Sequence, residues 1–467
     1  MSTGSEVPNN VVTRVVDRGL CSGCGVCAGV CPNQALVMTN LANGDLAVQS
    51  SNNPCATRCS LCLSVCPFAE GVFNPRPAHT AAFGPLSPTN LTSMHEDVGY
   101  YGGAFVGYSE VHRAASASGG LLSWTLEELL RAKAVDCVAA VTCRTKTDGQ
   151  VGFSFTVART VEEIRACSGS VYHQVEISEI VRRITAEPGL RWAITGVPCL
   201  CAAVRNAMNR LPKLREAIAY VFGLACGMYQ NRFYTELLLA TTGVAAGEPK
   251  RINYRAKATS GSASNFNFQV TGSDGPIGKK VPYQGLPYYL GKNGFFRINA
   301  CNYCMDVFAD TGDACFMDAW LPECRQDLLG NSLVVVRNPA LLVLFAEAQR
   351  AGTLTLNAIP IEKAVQSQKG HVLRKRQLID IRLGKKNGGL TKSIQLLPAR
   401  LEWRLQYAVQ QKSKTVWTEA REHGAQVSFW RAMRPLTVLV SVQQFFSRVV
   451  GLTLRVTNKA KNRVLNK

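Results

Sequence analysis

Residues 21–32 read CSGCGVCAGVCP, and residues 55–67 read CATRCSLCLSVCP. Together they hold eight cysteines, namely Cys21, Cys24, Cys27, Cys31, Cys55, Cys59, Cys62 and Cys66. The first stretch has the spacing C-x2-C-x2-C-x3-C-P, and the second has one extra residue before Cys59. Three thiolates on one tight loop can cap three corners of a 4Fe–4S cube, while the fourth cysteine reaches a second cube. The spacing therefore predicts two 4Fe–4S clusters.

The same rule assigns the ligands of each cluster. The predicted sets are Cys21, Cys24, Cys27 and Cys66 for one cluster, and Cys55, Cys59, Cys62 and Cys31 for the other. The alternatives are zinc sites or a disulfide framework, but structural zinc sites favour two separated CxxC pairs. We expect the extra residue before Cys59 to change the loop geometry of the second cluster and not its presence.

Composition sets the class of protein. The 467 residues suffice for about three domains, and 46% hydrophobic with 18% charged residues is typical of globular chains. The first ten residues are polar and carry no signal-peptide pattern, and we find no apolar run of the ~18 residues that a membrane helix needs. Eighteen cysteines in a reducing cytoplasm favour metal or cluster binding over disulfides. The expected location is therefore cytoplasmic.

The pattern along the chain predicts an α+β or α/β multidomain protein. Residues 12–70 form a small ferredoxin-like dicluster domain, and the proline-rich residues 71–98 form a linker or an extended covering loop. From about 100 to 345, strands alternate with helices, which is typical of α/β architecture. Residues 346–467 form a helical basic tail. From Lys369 onward the tail holds 21 Lys and Arg against four acidic residues, so it alone carries +17 of the total +20.

Four motifs stand out in the central region. They are Ser118-Gly119-Gly120 at a helix start, Gly169-Ser170-Val171-Tyr172, Thr195-Gly196-Val197-Pro198-Cys199 at a strand end, and Cys301-Asn302-Tyr303-Cys304, which Asp306, Asp310, Gly312 and Asp313 follow. Glycines at a helix start let backbone N–H groups approach a phosphate. A plain helix cap and an ordinary turn with a core tyrosine are the alternatives for the first two.

In this order the motifs resemble the beta subunit of coenzyme F420 hydrogenase/dehydrogenase, over about residues 15–345. The resemblance also uses Cys226-Gly227 and Ser332 to Arg337. It implies FAD in the α/β domain, with residues 99–180 and 181–345 as its two parts. The phosphates would lie near Ser118, Gly119 and Gly120, and the ring near Gly169, Ser170, Tyr172, Thr195, Gly196 and Pro198. FAD would connect single-electron clusters to a hydride substrate.

The chain departs from the family pattern at three places. Val171 replaces a lysine, Leu200 replaces a glutamine, and Cys226-Gly227-Met228 lacks the histidine of a C-H-G segment. These departures put the particular substrate in doubt.

A second set of four cysteines lies outside the N-terminal motifs. We hypothesise that Cys199, Cys226, Cys301 and Cys304 hold a third 4Fe–4S cluster beside the flavin, with Cys201 as a substitute for Cys199. The alternative is that they are buried free thiols. The remaining cysteines, Cys137, Cys143, Cys167, Cys315 and Cys324, are interpreted as packing residues.

Two side chains are predicted as catalytic, His173 as a proton donor to the substrate and Asp313 as a residue that orients the flavin. Asp310 and Asp313 could instead line a loop, which is the preferred interpretation, and Asp313 is the better functional candidate of the two. His112 is a second candidate donor. A surface or internally satisfied histidine is the alternative in each case.

The C-terminal residues 436–455 predict an amphipathic helix, with Ser441 and Gln444 on one side and Val442 and Phe446 on the other. It could contact an anionic membrane surface or an acidic partner, or pack on its own domain. We find no basic patch with interleaved aromatic residues in the sequence, so nucleic acid binding is not expected.

The predicted function is an iron–sulfur flavoprotein oxidoreductase. It would relay electrons between a one-electron carrier, such as a ferredoxin or another oxidoreductase subunit, and FAD, which acts on a small organic substrate or coenzyme. The first alternative is a non-catalytic electron-transfer subunit of a larger redox complex. A maturation or scaffold protein with structural clusters is a more distant one.

Overall fold

The computed structural model describes residues 9–56, 59–145, 151–167, 169–244, 249–283, 290–385, 396–422 and 426–465. They fold as a mixed α/β protein with a small cysteine-rich N-terminal domain and helices at the C-terminus. The predicted fold class is confirmed at this level. The boundaries of the five predicted segments stay predictions.

The N-terminal domain is small and packs against the centre of the protein. Its elements are a π-helical turn (Val12–Val16), α1 (Val26–Gly29), β1 (Leu36–Asn40), β2 (Leu46–Ser50) and α2 (Leu61–Val65). β1 and β2 form an antiparallel hairpin. Val26, Val65 and Phe68 belong to the same hydrophobic core as Ile180 and Val181 of the central region. This small domain therefore gains apolar burial from its neighbour.

The sequence predicts a linker or covering loop over residues 71–98, and the structure places a helix there. The elements are α3 (Arg76–Phe83), β3 (Met94–His95) and β4 (Gly99–Tyr100). His79 and Phe83 on α3 are buried. The His79 Nδ1 lies 2.7 Å from the Asp310 carbonyl oxygen, and its Nε2 lies 2.6 Å from the Tyr100 backbone nitrogen. The imidazole thus joins this segment to the loop around Asp310.

An eight-stranded mixed sheet forms the central domain. The remaining strands are β5 (Gly103–Tyr108), β6 (Cys137–Thr145), β7 (Val151–Ala158), β8 (Trp192–Gly196), β9 (Ile218–Leu224), β10 (Arg251–Lys257), β11 (Phe266–Thr271), β12 (Pro276–Pro282), β13 (Ala314–Asp318), β14 (Ser332–Val336) and β15 (Thr355–Ala358). The sheet order is β15-β5-β14-β13-β9-β8-β6-β7. The neighbours β6, β8, β9 and β13 run parallel, and the outer pairs are antiparallel.

The parallel strands end at one edge, which we call the carboxyl edge, defined by the ends of β6, β8, β9 and β13. Ligands of open α/β sheets bind outside the carboxyl ends of the strands. Cys199 follows β8, Cys226 follows β9, and Asp318 ends β13. Two of the segments singled out in the sequence, those that carry Cys199 and Cys226, therefore meet at this edge.

Helices cover both faces of the sheet. They are α4 (Glu110–Arg113), α5 (Leu121–Arg131), α6 (Val161–Ala166), α7 (Ser178–Ala186), α8 (Pro198–Arg210), α9 (Pro212–Ala217), α10 (Arg232–Thr242), α11 (Pro339–Arg350), α12 (Ile361–Ser367), α13 (Lys369–Val372), α14 (Ile379–Arg382), α15 (Leu397–Glu422) and α16 (Gln426–Leu465). α7 and α8 share one core with the N-terminal domain, whereas Trp124 of α5 and Phe345 of α11 belong to a second core.

A second sheet, β10-β11-β12, is antiparallel and packs with α10 and the two C-terminal helices. Tyr254, Phe268, Phe296, Trp417 and Phe429 share its core. The part of the basic tail from Val409 to Val440 therefore packs against the second sheet and α10. No helix in the described ranges is long and apolar enough to cross a membrane.

Candidate functional site

Two glycines shape the first cysteine loop. Gly23 and Gly25 have φ angles of +74° and +80°, a region that L side chains rarely adopt. A Cβ at Gly25 would lie 2.5 Å from the Glu176 carboxylate, so the loop also presses closely against the central domain. Cys27, at the start of α1, is buried. The sequence thus folds residues 21–27 into a tight loop that gathers three thiols.

The structure brings Cys66 of the second motif to the thiols of the first. Burial raises the pKa of the Cys27 thiol, and Cys24, Cys21 and Cys66 raise it further by charge. Burial likewise raises the pKa of Cys66, with Cys24 as the next cause. Cys62 instead has Cys55 and Cys59 as neighbours. Cys66 thus lies near the first loop, as the predicted exchange of fourth cysteines requires; the exchange itself, for Cys66 and for Cys31, stays a prediction.

The four central cysteines converge on one cavity at the carboxyl edge. Cys199 lies in the first turn of α8, Cys226 follows β9, and Cys301 and Cys304 flank a short 3-10 helix (Asn299–Tyr303). All four line one small cavity together with Phe68, Val197, Pro198 and Lys375. Burial raises the pKa of Cys199, and Cys24, Cys304, Cys226 and Cys301 add to the effect. We call these four cysteines the central thiol set, and Cys24 places it beside the N-terminal loop.

Cys201 does not join this set. Its thiol lies 3.5 Å from the Gly196 carbonyl and 3.7 Å from that of Phe222, and it is buried in the core. Across the described ranges, the central thiol set included, no three His, Cys, Asp or Glu side chains meet as they would around a single metal ion. A 4Fe–4S cube instead takes one thiolate at each of four separate irons.

A buried lysine faces the central thiol set. The Lys375 Nζ lies 3.3 Å from the Cys304 Sγ and 2.6 Å from the Asp306 carbonyl oxygen, and the residue is 2% exposed. Burial by itself would lower the pKa of Lys375. The negative charges of the Cys304, Cys226 and Cys301 thiolates outweigh burial, so the pKa of Lys375 is raised. The sequence reasoning missed this residue, because it lies among many cations of the tail.

A tail histidine fills the space beside Gly227. A Cβ at Gly227 would lie 2.2 Å from the His371 ring, so only glycine fits there. Arg374 donates to the Gly227 carbonyl at 3.3 Å and lies 2.8 Å from the His371 Nδ1. Burial, followed by the charges of Arg374 and Lys375, lowers the pKa of His371 to about 3. The imidazole is therefore neutral near pH 7.

The Ser118-Gly119-Gly120 turn is held by packing. A Cβ at Gly119 would lie 2.5 Å from the Ser332 nitrogen of β14, and Gly120 has a φ of +80° against His112. The Ser118 hydroxyl donates to the Asn331 carbonyl at 2.7 Å. Both glycines are thus required by the close approach of the chain, whatever else the turn binds.

A second, small cavity lies beside this turn. It is lined by residues that include Ser118, Arg255, Lys257, Asp318 and Trp320. Arg255 pairs with Asp318 at 2.7 Å, and its buried Nε has no hydrogen-bond partner. Burial raises the pKa of Tyr172, with Arg255 as its nearest cation and Ser170 as a hydrogen-bond partner. The structure therefore brings Ser118, Ser170 and Tyr172 around Arg255.

The Thr195–Pro198 turn lies instead at the thiol cavity. The Thr195 hydroxyl donates to the Ala139 carbonyl at 3.1 Å, and Pro198 lines the cavity next to Cys199. The flavin residues named from the sequence are thus divided between two cavities at the carboxyl edge.

The two predicted catalytic residues lie apart from each other. His173 bonds Thr235 at 2.9 Å and packs against Phe153. Asp313 accepts from Arg205 at 3.0 Å and from the Val221 backbone nitrogen at 2.8 Å, which ties β13 to β9. His112 is buried between Ser109 and Glu127, at 2.7 Å from each. Neither His173 nor Asp313 lines the thiol cavity.

Comparison with known proteins gives three matches along the chain. Residues 20–69 match the 4Fe-4S dicluster domain, residues 104–182 match the N-term of the coenzyme F420 hydrogenase/dehydrogenase beta subunit, and residues 189–362 match the C terminus of the same protein. One relative is an F(420)H(2) dehydrogenase subunit from Methanosarcina mazei. It is 22% identical over 347 residues, which is 70% of this chain and 87% of that protein.

Among solved structures, the F420-reducing NiFe hydrogenase complex of Methanosarcina barkeri, studied with xenon, contains a similar chain. It is 19% identical, with a TM-score of 0.46, and the match covers 64% of this chain and 100% of that one. The two beta subunit matches together span more than half of the sequence and confirm the resemblance found in its motifs. The chain therefore belongs to the family of coenzyme F420 hydrogenase/dehydrogenase beta subunits, as an iron–sulfur member with a 4Fe–4S dicluster domain at its N-terminus.

Proposed function

We propose that this protein is an electron-transfer oxidoreductase subunit that holds three 4Fe–4S clusters and FAD. The observation that carries the proposal is the convergence of four cysteines, from three separate segments, on one cavity beside Cys24. Iron–sulfur clusters transfer single electrons at potentials that their surroundings set. The proposed ligands are the two N-terminal sets, Cys21, Cys24, Cys27 and Cys66 and then Cys55, Cys59, Cys62 and Cys31, and the central thiol set.

The donor chemistry of the thiol cavity fits such a cluster. Four thiols, one buried lysine and apolar walls from Phe68 and Val197 make a site that selects soft metals and excludes water. The Tyr229 backbone nitrogen donates to the Cys301 Sγ at 3.2 Å, and Lys375 donates to the Cys304 Sγ. Donors to sulfur are the kind of outer contact that tunes a cluster.

The second cavity supports FAD. An unpaired Arg255 Nε, the Ser118 turn and the aromatic ring of Trp320 offer an anion contact and a stacking surface. FAD, when bound, exchanges hydride with an organic molecule and passes electrons singly. Lys257 donates to the carbonyls of Arg113, Ser118 and Leu329, and so holds the turn in place. We propose that FAD extends from the second cavity toward the thiol cavity, so that Gly169, Thr195 and Gly196 stay proposed ring contacts. His173 stays the proposed proton donor, and Asp313, whose carboxylate accepts from Arg205, stays a proposed catalytic residue.

The second candidate function is that of a relay protein without flavin chemistry. The packing roles of Gly119 and Gly120, and the Val171 and Leu200 departures, favour it. The Methanosarcina mazei relative is named as one subunit of a dehydrogenase, which supports redox partner subunits in either case.

Anaerobic purification with cofactor extraction separates these functions. We expect about twelve iron atoms per chain and flavin absorption near ~450 nm. Twelve iron atoms without flavin favour the relay protein. About eight iron atoms would remove the third cluster, and fewer than eight would remove the dicluster assignment.

We also propose that the protein is cytoplasmic and contacts an anionic membrane surface through α16. The helix turns its polar side inward, because Gln443 donates to the Pro398 carbonyl at 3.0 Å and Gln444 to Asn293 at 2.9 Å. Five apolar side chains face outward, namely Val438, Leu439, Val442, Phe445 and Phe446, which are 46–64% exposed. At 3.6 residues per turn they fall within an arc of about 120°. We call them the apolar stripe.

Charge selects the surface that the apolar stripe fits. Residues 426–467 hold eight Lys and Arg and no acidic residue, so a second copy of the helix would be repelled. An apolar stripe on a cationic helix is typical of binding in the interface of anionic lipids. The side chains beyond Ser447 and residues 466–467 lie outside the described part of the chain.

Vesicle cosedimentation of the full chain tests this contact. We expect binding to phosphatidylglycerol vesicles, weak binding to phosphatidylcholine, and at least tenfold weaker binding of a Phe445→Ser/Phe446→Ser variant. Leu86→Ser, which removes a fully exposed leucine elsewhere, is the matched control and should bind normally. Equal binding by all variants, a dimer formed through the stripe, or binding only to acidic proteins would contradict the proposal.

A further inference from the structure

Residues 369–382 cover the central thiol set, although they lie beyond the matched family region, which ends at residue 362. We call them the capping segment. It consists of α13, a π-helical turn (Leu373–Gln377) and α14. The sequence alone assigned these residues to a basic tail, with no link to the cysteines.

The capping segment fastens the backbone next to three of the four cysteines. Arg374 donates to the Gly227 carbonyl, one residue after Cys226. Arg382 Nε donates at 2.7 Å to the carbonyl of Asn302, between Cys301 and Cys304.

Arg376 Nε donates at 3.0 Å to the carbonyl of Met305, one residue after Cys304. Each of these loops therefore depends on a guanidinium from the capping segment. An arginine can fix a backbone carbonyl without giving up its charge.

Lys375 is the one residue of the segment that reaches a cysteine sulfur directly. Its Nζ lies 3.3 Å from the Cys304 Sγ and is buried. Four thiolates in a buried site carry negative charge that the interior must compensate. Reduction of a cluster adds one more negative charge, and a fixed cation nearby favours the reduced form.

We propose that the capping segment sets the reduction potential of the cluster held by the central thiol set, with Lys375 as the positioning residue that donates to Cys304. The inference rests on the proposed third cluster. The N-terminal clusters lack such a contact among the described residues, since the side-chain nitrogen recorded nearest to one of their sulfurs is the amide of Asn10, 4.0 Å from the Cys55 Sγ. The capping segment thus gives the central cluster the highest reduction potential of the three clusters, which makes it the best electron acceptor among them.

Potentiometric titration followed by electron paramagnetic resonance tests the proposal on the anaerobically purified full chain. In Lys375→Met we expect the one-electron equilibrium of one centre to shift at least tenfold toward the oxidised form, which is about 59 mV downward. The other two centres should keep their potentials. Lys363→Met is the matched control, because it removes a lysine that pairs with Glu323 at the surface, and it should shift none of the three.

The outcomes separate the inference from the function on which it rests. About eight iron atoms in the unaltered protein would defeat the third cluster itself. About twelve in both proteins, with unchanged potentials, would overturn the role of Lys375 alone. If Lys375→Met loses iron or fails to fold, Arg382→Met serves as the second variant, because it keeps the Lys375 side chain but removes the donors to the Lys375 and Asn302 carbonyls. It should lower the same potential by a smaller amount, and no change there would also overturn the cap.

Discussion

The N-terminal cysteine loops and the central thiol set reach a similar chemistry by different routes. In the first loop, four cysteines fall between residues 21 and 31, and glycines with positive φ fold them together. The central cysteines span residues 199 to 304. Cys199 and Cys226 meet because β8 and β9 are neighbours in the sheet, and backbone bonds from Ile298 to Tyr229 and from Cys226 to Val307 bring the segment of Cys301 and Cys304 to them. The first site is local and visible in the sequence, whereas the second depends on topology and on a distant cationic segment. The two should therefore fail independently.

The largest expected effect is the loss of one site without the other. Cys301→Ser should remove about four iron atoms per chain and leave about eight, because a central ligand is lost while the N-terminal loops keep all of theirs. Iron quantitation after anaerobic purification measures this. Cys201→Ser is the control, since Cys201 lies away from the cavity, and it should keep the full iron content. Loss of all iron in Cys301→Ser would mean that the sites are not independent.

A glycine substitution probes the local site. Gly25→Ala should destabilise the N-terminal domain by about 3 kcal/mol, from left-handed backbone strain plus a Cβ contact with Glu176. Chemical denaturation followed at the cluster absorbance measures the change. Gly189→Ala has a similar φ of +88° with nothing within 4 Å, so it isolates the strain and should cost about 1 kcal/mol. Equal losses in both variants would show that the contact with the central domain contributes nothing.

Acid should weaken the contact that His79 makes between α3 and the loop around Asp310. Burial, followed by Arg337, lowers the pKa of His79 to about 4, so the folded state binds the proton less well than the unfolded state, whose histidine titrates near 6.5. Stability is complete above pH 6.5 and falls as the pH drops toward 4. The loss is about 2 kcal/mol between pH 6.5 and 5. Denaturation at several pH values measures it, and a His79→Gln variant whose slope matches the unaltered protein would exclude His79 as the cause.

The smallest effect concerns the contact between the tail and the N-terminal hairpin. Lys414 of α15 bonds both oxygens of Asp45, at 2.7 and 2.8 Å, with both groups largely buried. Lys414→Met should lower the unfolding free energy by about 1–2 kcal/mol, because a charged hydrogen bond is lost. Thermal denaturation measures this, with Lys385→Met, an exposed pair with Asp380, as the control expected to change little. A normal melting temperature would show that the tail does not support the cysteine domain.

Sequence reasoning succeeded where the signal is local. The cysteine spacing gave the dicluster domain, and the buried runs gave the central strands. It also grouped the central thiol set, but it kept Cys201 as a substitute for Cys199. Residues two apart on a helix point in nearly opposite directions, and the structure puts Cys201 in the core.

Long-range contacts could not be predicted in the same way. Lys375 meets Cys304 across 71 residues, and nothing in a run of tail cations distinguishes it. The glycines of Ser118–Gly120 suggested a phosphate contact, but Gly119 is already required by the approach of β14. The orientation of α16, with its apolar side outward, follows from Gln443 and Gln444 and not from the periodicity alone.

The fit of His371 against Gly227 makes the C-terminal segment and the Cys226 loop a matched pair. A side chain at position 227 and the imidazole of His371 exclude each other, since they would share one space. Grafting the histidine of the family pattern onto position 227 would therefore expel His371 and loosen Arg374, which holds that carbonyl. The residues at positions 227 and 371 can therefore be replaced only together. A chimera between this chain and a relative should exchange the Cys226 loop and the capping segment at the same time.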